Sequence, residues 1–235
     1  MPGPCVDYER HGRTYAQHRR SDPRIAAAIL RGLGGARTVL NVGAGTGSYE
    51  PTDRWVLAVE PSAVMRAQRD RSSAPAINAR AESLPFDDNA VDAAMACVTI
   101  HHWGSPVAGL KELRRVAGGP VVVFTFDLDG LPPWQHRYLA EAVAADRPQF
   151  PSIDTVADAL GGQTRVERLP TPGDCADGFI EAFWRRPESL LEPAVRSAQS
   201  VWARLAPGAE DRIVAQLARD LDSGAWDAEY GPLRA

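Results

Sequence analysis

The sequence of 235 residues predicts an α/β fold with a doubly wound, mostly parallel sheet, helices on both faces of the sheet and a C-terminal helical cap. The main observation is that helical and extended patterns alternate through the first half of the chain, as they do in βαβ units. The second is the segment 120–126, PVVVFTF, whose β-branched residues are typical of a parallel strand buried on both faces.

The predicted elements of the first half follow one another in a regular order. Five strands are expected, at 38–42, 55–60, 76–79, 91–100 and 120–126. Three helices are expected, at 22–33, at 62–71 and from Ser105 to Gly118. Each helix begins at a residue that favours N-caps, and paired glycines follow the first and the third.

The second half is expected to complete the sheet and to form a helical cap over its open edge. A strand is predicted at 164–169, and helices are predicted near 134–146, 178–186 and 209–223. The last helix carries apolar residues at i, i+4 and i+8 and is followed by Gly224.

Composition argues against several classes of protein. Thirty acidic and 26 basic residues give a net charge of −4, which disfavours a protein that binds nucleic acid by neutralising phosphates. No apolar run approaches the roughly 18–20 residues of a membrane span, and the polar N-terminus does not resemble a secretory signal. The cysteines, Cys5, Cys97 and Cys175, form no C-x-x-C pair, so neither a disulfide framework nor a zinc site is expected. A reducing compartment, the cytoplasm, is therefore the expected location.

The strongest local signal is a glycine-rich segment directly after the first strand, with glycines at Gly43, Gly45 and Gly47. Glycines at the end of a parallel strand let a ligand approach the backbone closely. The G-x-G-x-G spacing differs from the G-x-G-x-x-G of dinucleotide sites, and no Gly-Lys-Ser/Thr follows. Taken alone, the segment is also compatible with a structural turn.

An acidic residue, Glu60, ends the second strand 17 residues after Gly43. A carboxylate has two acceptor oxygens and can bind both hydroxyls of a ribose. Two further motifs follow along the chain, ARAESLPF at 79–86 and VDAAMACVTIHHW at 91–103.

In this order and spacing, the motifs VLNVGAGTG, AVEPS, ARAESLPF, VDAAMACVTIHHW and LKELRRVAGG resemble the class I S-adenosylmethionine-dependent methyltransferases. The resemblance is strongest to their type 11 group, which includes ubiquinone- and menaquinone-type enzymes, and it covers roughly residues 15–127. It implies a Rossmann-like fold, S-adenosyl-L-methionine as cofactor and S-adenosyl-L-homocysteine as product.

The resemblance also implies which residues bind the cofactor. The segment Gly43, Ala44, Gly45 and Gly47 would border its amino-acid end together with Asn41, and Glu60 would bind the ribose beside Pro61 and Ser62. The remaining implied contacts are Ala81 and Glu82 at the adenine, Val98 and Thr99 at the methionine portion, and Tyr15 and Arg19 at the carboxylate. Arg19 could pair with that carboxylate, although Tyr15 and Arg19 also fit an exposed helix face.

The chain departs from the family pattern at two places. Asn41 stands where the family more often has an acid. Only eight residues separate Gly47 from Val56, so the helix usually found there is expected to be a turn or nearly absent.

Two histidines follow the fourth strand, where ligands bind in doubly wound sheets. His102 is the preferred candidate for a general base or a substrate-orienting group, and a structural contact beside the cofactor is the alternative. His101 is expected to pack or to support its neighbour. No metal is expected, because adjacent histidines lack the i, i+4 spacing of helical ligand pairs.

The expected substrate is a small molecule methylated on oxygen or nitrogen. Candidate substrate contacts carry aromatic or acidic side chains: Trp103, Trp134, Asp174, Phe179 and Trp184. A helix packed on the sheet through its aromatic residues is the alternative for the stretch around Phe179. The sequence does not settle the oligomeric state, and a homodimer is left open.

The chain is interpreted as a single domain, 1–235. Residues 1–36 are expected to form an N-terminal cap and first helix, 37–127 the cofactor-binding core, and 128–235 the remainder of the sheet and a substrate cap. The alternative functions are a wobble-uridine-type RNA methyltransferase, a non-catalytic cofactor-binding module and a nicotinamide enzyme. Net charge disfavours the first, and glycine spacing disfavours the last.

Overall fold

A five-stranded parallel sheet organises the first part of the chain. The computed structural model describes residues 19–235. Its strands are β1 (Thr38–Val42), β2 (Trp55–Val59), β3 (Ala76–Ile77), β4 (Ala93–Cys97) and β5 (Val121–Phe124), in the spatial order β3-β2-β1-β4-β5. Every pairing within this sheet is parallel. The predicted α/β fold with a Rossmann-like sheet is confirmed.

The α-helices of the described chain follow in order. They are α1 (Pro23–Leu33), α2 (Ala63–Ala67), α3 (Pro106–Val116), α4 (Pro133–Tyr138), α5 (Ala140–Asp146), α6 (Ile153–Leu160), α7 (Pro193–Ser197), α8 (Ala209–Asp222) and α9 (Ala225–Tyr230). No helix in residues 19–235 is long and apolar enough to cross a membrane.

The described residues divide into two compact units. The first unit contains Ser21–Phe126 and Gln149–Leu169, and the second contains residues 19–20, Asp127–Pro148 and Pro170–Ala235. The single-domain organisation from the sequence stays a prediction.

Helices cover both faces of the sheet in the first unit. Leu40 and Ala94 are register partners on one face, where α3 and α6 complete a buried apolar core. On the other face, α1 packs its buried stripe of Ile25, Ile29 and Leu33. Gly32 of α1 lies so close to Val122 that a Cβ there would be 2.9 Å from the valine methyl. This two-sided cover explains why β1 and β4 are almost entirely buried.

Capping side chains set the beginnings of these helices. Asp22, Ser62, Ser105 and Ser152 each accept a backbone N–H from the first turn of the helix that follows. The cap at Ser62 is as predicted, but α2 ends at Ala67 rather than at residue 71.

The connection between β1 and β2 contains no helix, as the short spacing predicted. Residues 48–54 form turns. Within them Tyr49 adopts a φ of +63° and is buried, donates its N–H to Ser21 Oγ at 2.7 Å and places its ring edge-on against Phe124.

The second unit is helical and has its own apolar core. Aromatic residues make up much of this core, notably Trp134, Tyr138, Trp202, Trp226 and Tyr230. Trp134 and Trp226 are fully buried and meet edge to face, with ring centroids 5.7 Å apart. The predicted helix at 209–223 is present as α8, and the one near 134–146 is divided at Leu139 into α4 and α5.

Two expectations for the second half are wrong. Residues 164–169 are not a strand, and no described residue after Phe124 belongs to the sheet, so the expected remainder of the sheet is absent from the described chain. The alternating residues of 164–169 have nothing to pack on, and Val166 is 61% exposed. The helix expected at 178–186 is reduced to a 3₁₀ turn, Ile180–Phe183.

Gly119 offers a test of the sheet geometry. A Cβ at this position would lie 2.5 Å from the backbone oxygen of Asp92, whose carboxylate accepts the N–H groups of Arg37 and Thr38. Gly119→Ala should therefore lower the free energy of unfolding by about 1–3 kcal/mol through overpacking. Gly35→Ala is the control, because no heavy atom lies within 4 Å of its added Cβ. Equal urea midpoints for the two variants would contradict this packing.

Candidate functional site

The glycine loop, Gly43 to Gly47, leaves the carboxyl end of β1 in a conformation that favours glycine. Gly43, Gly45 and Gly47 have φ values of +69°, +52° and +100°. The N–H groups of Gly43 and Ala44 both donate to the carbonyl of Val59, each at 2.9 Å, so the loop is attached to the end of β2. A Cβ at Gly43 would lie 2.0 Å from Thr99 Oγ1, and only glycine permits this approach.

Glu60 lies at the centre of this arrangement. Its Oε2 accepts the N–H of Gly45 at 2.9 Å and its Oε1 accepts the N–H of Ser62 at 2.8 Å. The residue is only 7% exposed, and burial raises the pKa of its carboxyl despite the two N–H donors and nearby Arg66 and Arg69. Each oxygen keeps further acceptor capacity, so the carboxylate can also accept hydroxyl groups of a ligand.

A buried ion pair between Arg69 and Glu50 lies beside the glycine loop. Arg69 Nη2 lies 2.7 Å from Glu50 Oε2, and the two side chains are 5% and 8% exposed. Asn41 Nδ2 donates to the same carboxylate at 3.0 Å. The pair therefore connects the end of β1, the turn before β2 and the chain after α2.

Arg69 also holds the glycine loop directly. Its Nη1 donates to the carbonyls of Ala44 and Gly45 at 3.3 and 3.2 Å, and its Nε and Nη2 donate to the carbonyl of Ala74. One guanidinium thus holds both the glycine loop and the chain that leads into β3. Sequence reasoning missed Glu50 and Arg69, because no local pattern signals a pair of residues 19 positions apart.

The donors and acceptors left at the loop fit the amino-acid end of the predicted cofactor. Asn41 Oδ1 has no accessible surface and no hydrogen-bond donor in residues 19–235. An ammonium group would supply that donor. The glycines beside it leave the backbone open to close approach, so the residues present are compatible with the cofactor implied by the resemblance.

The segment after β4 has an unusual backbone. Val98 has a φ of +52°, which is strained for a β-branched residue, and its N–H donates to the carbonyl of Phe124 at 2.8 Å. The predicted strand 91–100 therefore ends at Cys97, and Thr99 is turned towards Gly43. Such strain costs on the order of 1–3 kcal/mol and is common at functional sites.

The two histidines have different surroundings. Both lie in a 3₁₀ turn, Ile100–His102, between β4 and α3. His101 is buried and stacks on Phe150, with ring centroids 4.3 Å apart, whereas His102 is half-buried. The rings of His101 and His102 are 3.9 Å apart. Sequence reasoning missed Phe150, which lies about 50 residues further along the chain.

The candidates for adenine and substrate contacts around α3 already have structural partners. Glu82 Oε1 accepts the N–H of Ser105 at 3.0 Å, at the beginning of α3. The indole of Trp103 packs on Gly109 and Ala81, such that a Cβ on Gly109 would be 2.4 Å from the ring. Pro61 is exposed. The proposed ligand contacts of these residues stay predictions.

The remaining candidates lie in the second unit, except Tyr15, which is outside the described residues. Arg19 forms an ion pair with Asp177, with Nε 2.6 Å from Oδ1, and its guanidinium lies over the ring of Phe179. Trp134 has no exposed surface and donates to the carbonyl of Trp184, so its indole packs inside this unit. Trp184 and Asp174 are the other two candidate substrate contacts. The indole of Trp184 donates to the carbonyl of Thr171, and Asp174 is exposed.

Cys97, at the end of β4, is a free thiol, and Cys175 is buried in the second unit. Burial raises the pKa of the Cys97 thiol, so it stays protonated near neutral pH and is a poor nucleophile.

Comparison with known proteins gives consistent results. A family model described as "Methyltransferase domain" matches residues 40–123. A crystal structure from Anabaena variabilis ATCC 29413, described as a candidate methyltransferase of an antibiotic biosynthesis pathway, is 30% identical. The match covers 92% of both chains with a TM-score of 0.82.

Two more distant relatives match part of the chain. A malonyl-[acyl-carrier protein] O-methyltransferase of Erwinia pyrifoliae is 27% identical over 164 residues, which cover 66% of this chain and 63% of the relative. An S-adenosylmethionine-dependent methyltransferase of Thermotoga maritima, described as a candidate histamine N-methyltransferase, is 25% identical. That match covers 65% of this chain and 77% of the other, with a TM-score of 0.53.

The Arg69–Glu50 pair gives a stability test of the site. Arg69→Met leaves the Glu50 carboxylate buried without its cation, and this should lower the free energy of unfolding by about 3–5 kcal/mol. Adding Glu50→Gln removes the lone charge and should recover part of the loss. Urea unfolding measures both changes.

The matched control is Arg165→Met, which breaks the exposed pair of Arg165 with Glu167 and should cost less than about 1 kcal/mol. If Arg69→Met were no more destabilising than this control, the ion pair would not be what fixes the loop.

Proposed function

Because the chain belongs to the class I S-adenosylmethionine-dependent methyltransferases, we propose that it binds S-adenosylmethionine at the glycine loop and methylates a small molecule on oxygen or nitrogen. One observation carries the proposal: the Glu60 carboxylate is buried at the carboxyl edge of the sheet, between the N–H groups of Gly45 and Ser62. This is the edge at which open α/β sheets bind ligands.

The binding roles follow from the chemistry of each group. Glu60 accepts the ribose hydroxyls, and Asn41 Oδ1 accepts from the ammonium of the amino-acid end. The glycine loop, held by Arg69, provides a surface without side chains, and Val98 and Thr99 border the methionine portion. Ala81 and Glu82 lie at the adenine. Since hydrogen bonds within the protein already hold the glycine loop and the side chains of Glu60 and Asn41, the proposed site is preorganised for binding.

The bound cofactor supplies an activated methyl group, so the protein mainly has to orient the acceptor and exclude water. His102 is the candidate base for an acceptor that arrives protonated. Its half-buried ring rests on His101, which Phe150 holds by stacking. We propose that His101 and Phe150 position the ring of His102.

The substrate class rests on similarity and charge. The relative from Erwinia pyrifoliae is described as an O-methyltransferase of a carrier-bound malonyl group, and the one from Thermotoga maritima as a candidate N-methyltransferase of histamine. The net charge of −4 does not favour a nucleic-acid substrate. A small molecule with a hydroxyl, carboxyl or amine acceptor is the proposed substrate.

The cofactor site is tested by titrating variants with S-adenosylhomocysteine in a calorimeter. Gly45→Val places a branched side chain in the ligand space and should abolish measurable binding. Gly34→Val is its control, since Gly34 has a similar φ of +57° and nothing within 4 Å of an added Cβ.

Glu60→Ala should weaken binding of S-adenosylhomocysteine by roughly 1–3 kcal/mol. Asp53→Ala removes an equal charge from an exposed acid and should leave affinity unchanged. Unaltered affinity in both Gly45→Val and Glu60→Ala would place the cofactor elsewhere.

The role of His102 is tested by separating turnover from cofactor affinity. With radiolabelled S-adenosylmethionine and a panel of phenols, carboxylic acids and amines, His102→Ala should lower methyl transfer to any accepted substrate by roughly 10²–10⁴-fold. Its affinity for S-adenosylhomocysteine should stay within about twofold of the wild type, which corresponds to well under 1 kcal/mol. A large loss of that affinity would instead make His102 a cofactor contact.

A further inference from the structure

The second unit contains two buried acceptor oxygens that nothing in the methyl-transfer site uses. Glu181 lies on the 3₁₀ turn Ile180–Phe183, and its Oε2 has no accessible surface and no hydrogen-bond partner in the described chain. Gln135 of α4 is fully buried, and its Oε1 likewise has no accessible surface and no hydrogen-bond partner in the described chain. Buried acceptors without donors are rare, because each carries the full cost of its lost hydration.

Gln135 contacts the turn that carries Glu181. Gln135 Nε2 donates to the carbonyl of Ile180, the residue before Glu181, at 3.0 Å. This bond orients the amide of Gln135 and leaves its oxygen as an acceptor beside the turn. The two unpartnered acceptors therefore belong to α4 and to the turn that it contacts.

The surroundings of Glu181 favour a positive charge. Burial, with smaller contributions from the nearby carboxylates of Asp146 and Asp177, raises the pKa of the Glu181 carboxyl to about 7. Arg19 lowers that pKa, but its guanidinium is bound to Asp177, and Arg204 is bound to Asp146. A cation that donates hydrogen bonds would pair with the unpartnered acceptors and would offset the negative charge of the surrounding carboxylates.

We infer that the second unit binds a protonated primary amine, whose N–H groups donate to Glu181 Oε2 and Gln135 Oε1. Glu181 is half-buried as a residue, so the turn that carries it reaches solvent. Phe179 precedes the turn and Phe183 is its last residue, and apolar rings at these positions suit an amine with an apolar body. The inference goes beyond the proposed reaction and does not depend on cofactor binding.

The probe is phenethylamine, and 2-phenylethanol of the same shape is its uncharged control. Calorimetric titration at pH 8 should show saturable binding of the amine and none of the alcohol. Since the carboxylate form binds, affinity should fall about tenfold between pH 8 and pH 6, as the ionised fraction of a group with a pKa near 7 declines.

Glu181→Gln removes the charge and should reduce the affinity for phenethylamine at least tenfold at pH 8. Its melting temperature at pH 8 should equal or exceed that of the wild type, because a neutral amide replaces a buried carboxylate, and this excludes misfolding. Glu192→Gln, at an exposed glutamate, is the control and should bind normally. S-adenosylhomocysteine affinity should be the same in all three proteins.

Three results would overturn the inference. These are no saturable heat with phenethylamine at pH 8, equal binding of 2-phenylethanol, or unchanged amine affinity in Glu181→Gln. In the first case, a Glu181→Gln variant with raised stability at pH 8 would show that the site holds a proton alone.

Discussion

The buried ion pair between Arg69 and Glu50 is the interaction on which the geometry of the site depends. It joins the helix-free connection between β1 and β2 to the chain after α2, and its guanidinium also binds the carbonyls of Ala44 and Gly45. A buried pair of this kind is favourable only when its remaining donors and acceptors are satisfied. Here the backbone carbonyls and Asn41 satisfy them, so the pair and the loop stabilise each other.

A second constraint comes from the close approach of the carboxyl ends of β1 and β4. Val98 adopts a left-handed conformation, which turns Thr99 against Gly43. The N–H of Val98 donates to the carbonyl of Phe124, and this hydrogen bond holds the bend. Together with Glu60, which links Gly45 to Ser62, these contacts leave the loop little freedom. A surface held in this way loses little freedom when a ligand binds, which lowers the entropic cost of binding.

Local signals explain what the sequence predicted well. The bounds of β1 and the cap of α1 at Asp22 follow from burial pattern and capping chemistry, and the pairing of glycine loop and Glu60 follows from spacing. The Arg69–Glu50 pair and the stacking of Phe150 on His101 join distant residues, and no periodicity signals such contacts. The bend at Val98 contradicts the preference of valine, and 164–169 has strand-like residues without a neighbouring strand to pair with.

The central claim is that the glycine loop and Glu60 form the cofactor site. Its most direct test is an NMR titration of ¹⁵N-labelled protein with S-adenosylhomocysteine, followed at the backbone amides of Gly43, Gly45 and Ser62. The account predicts saturable shifts at these amides, with smaller changes at distant reference amides such as Gly161. Saturable shifts confined to other residues, with these three unmoved, would contradict it.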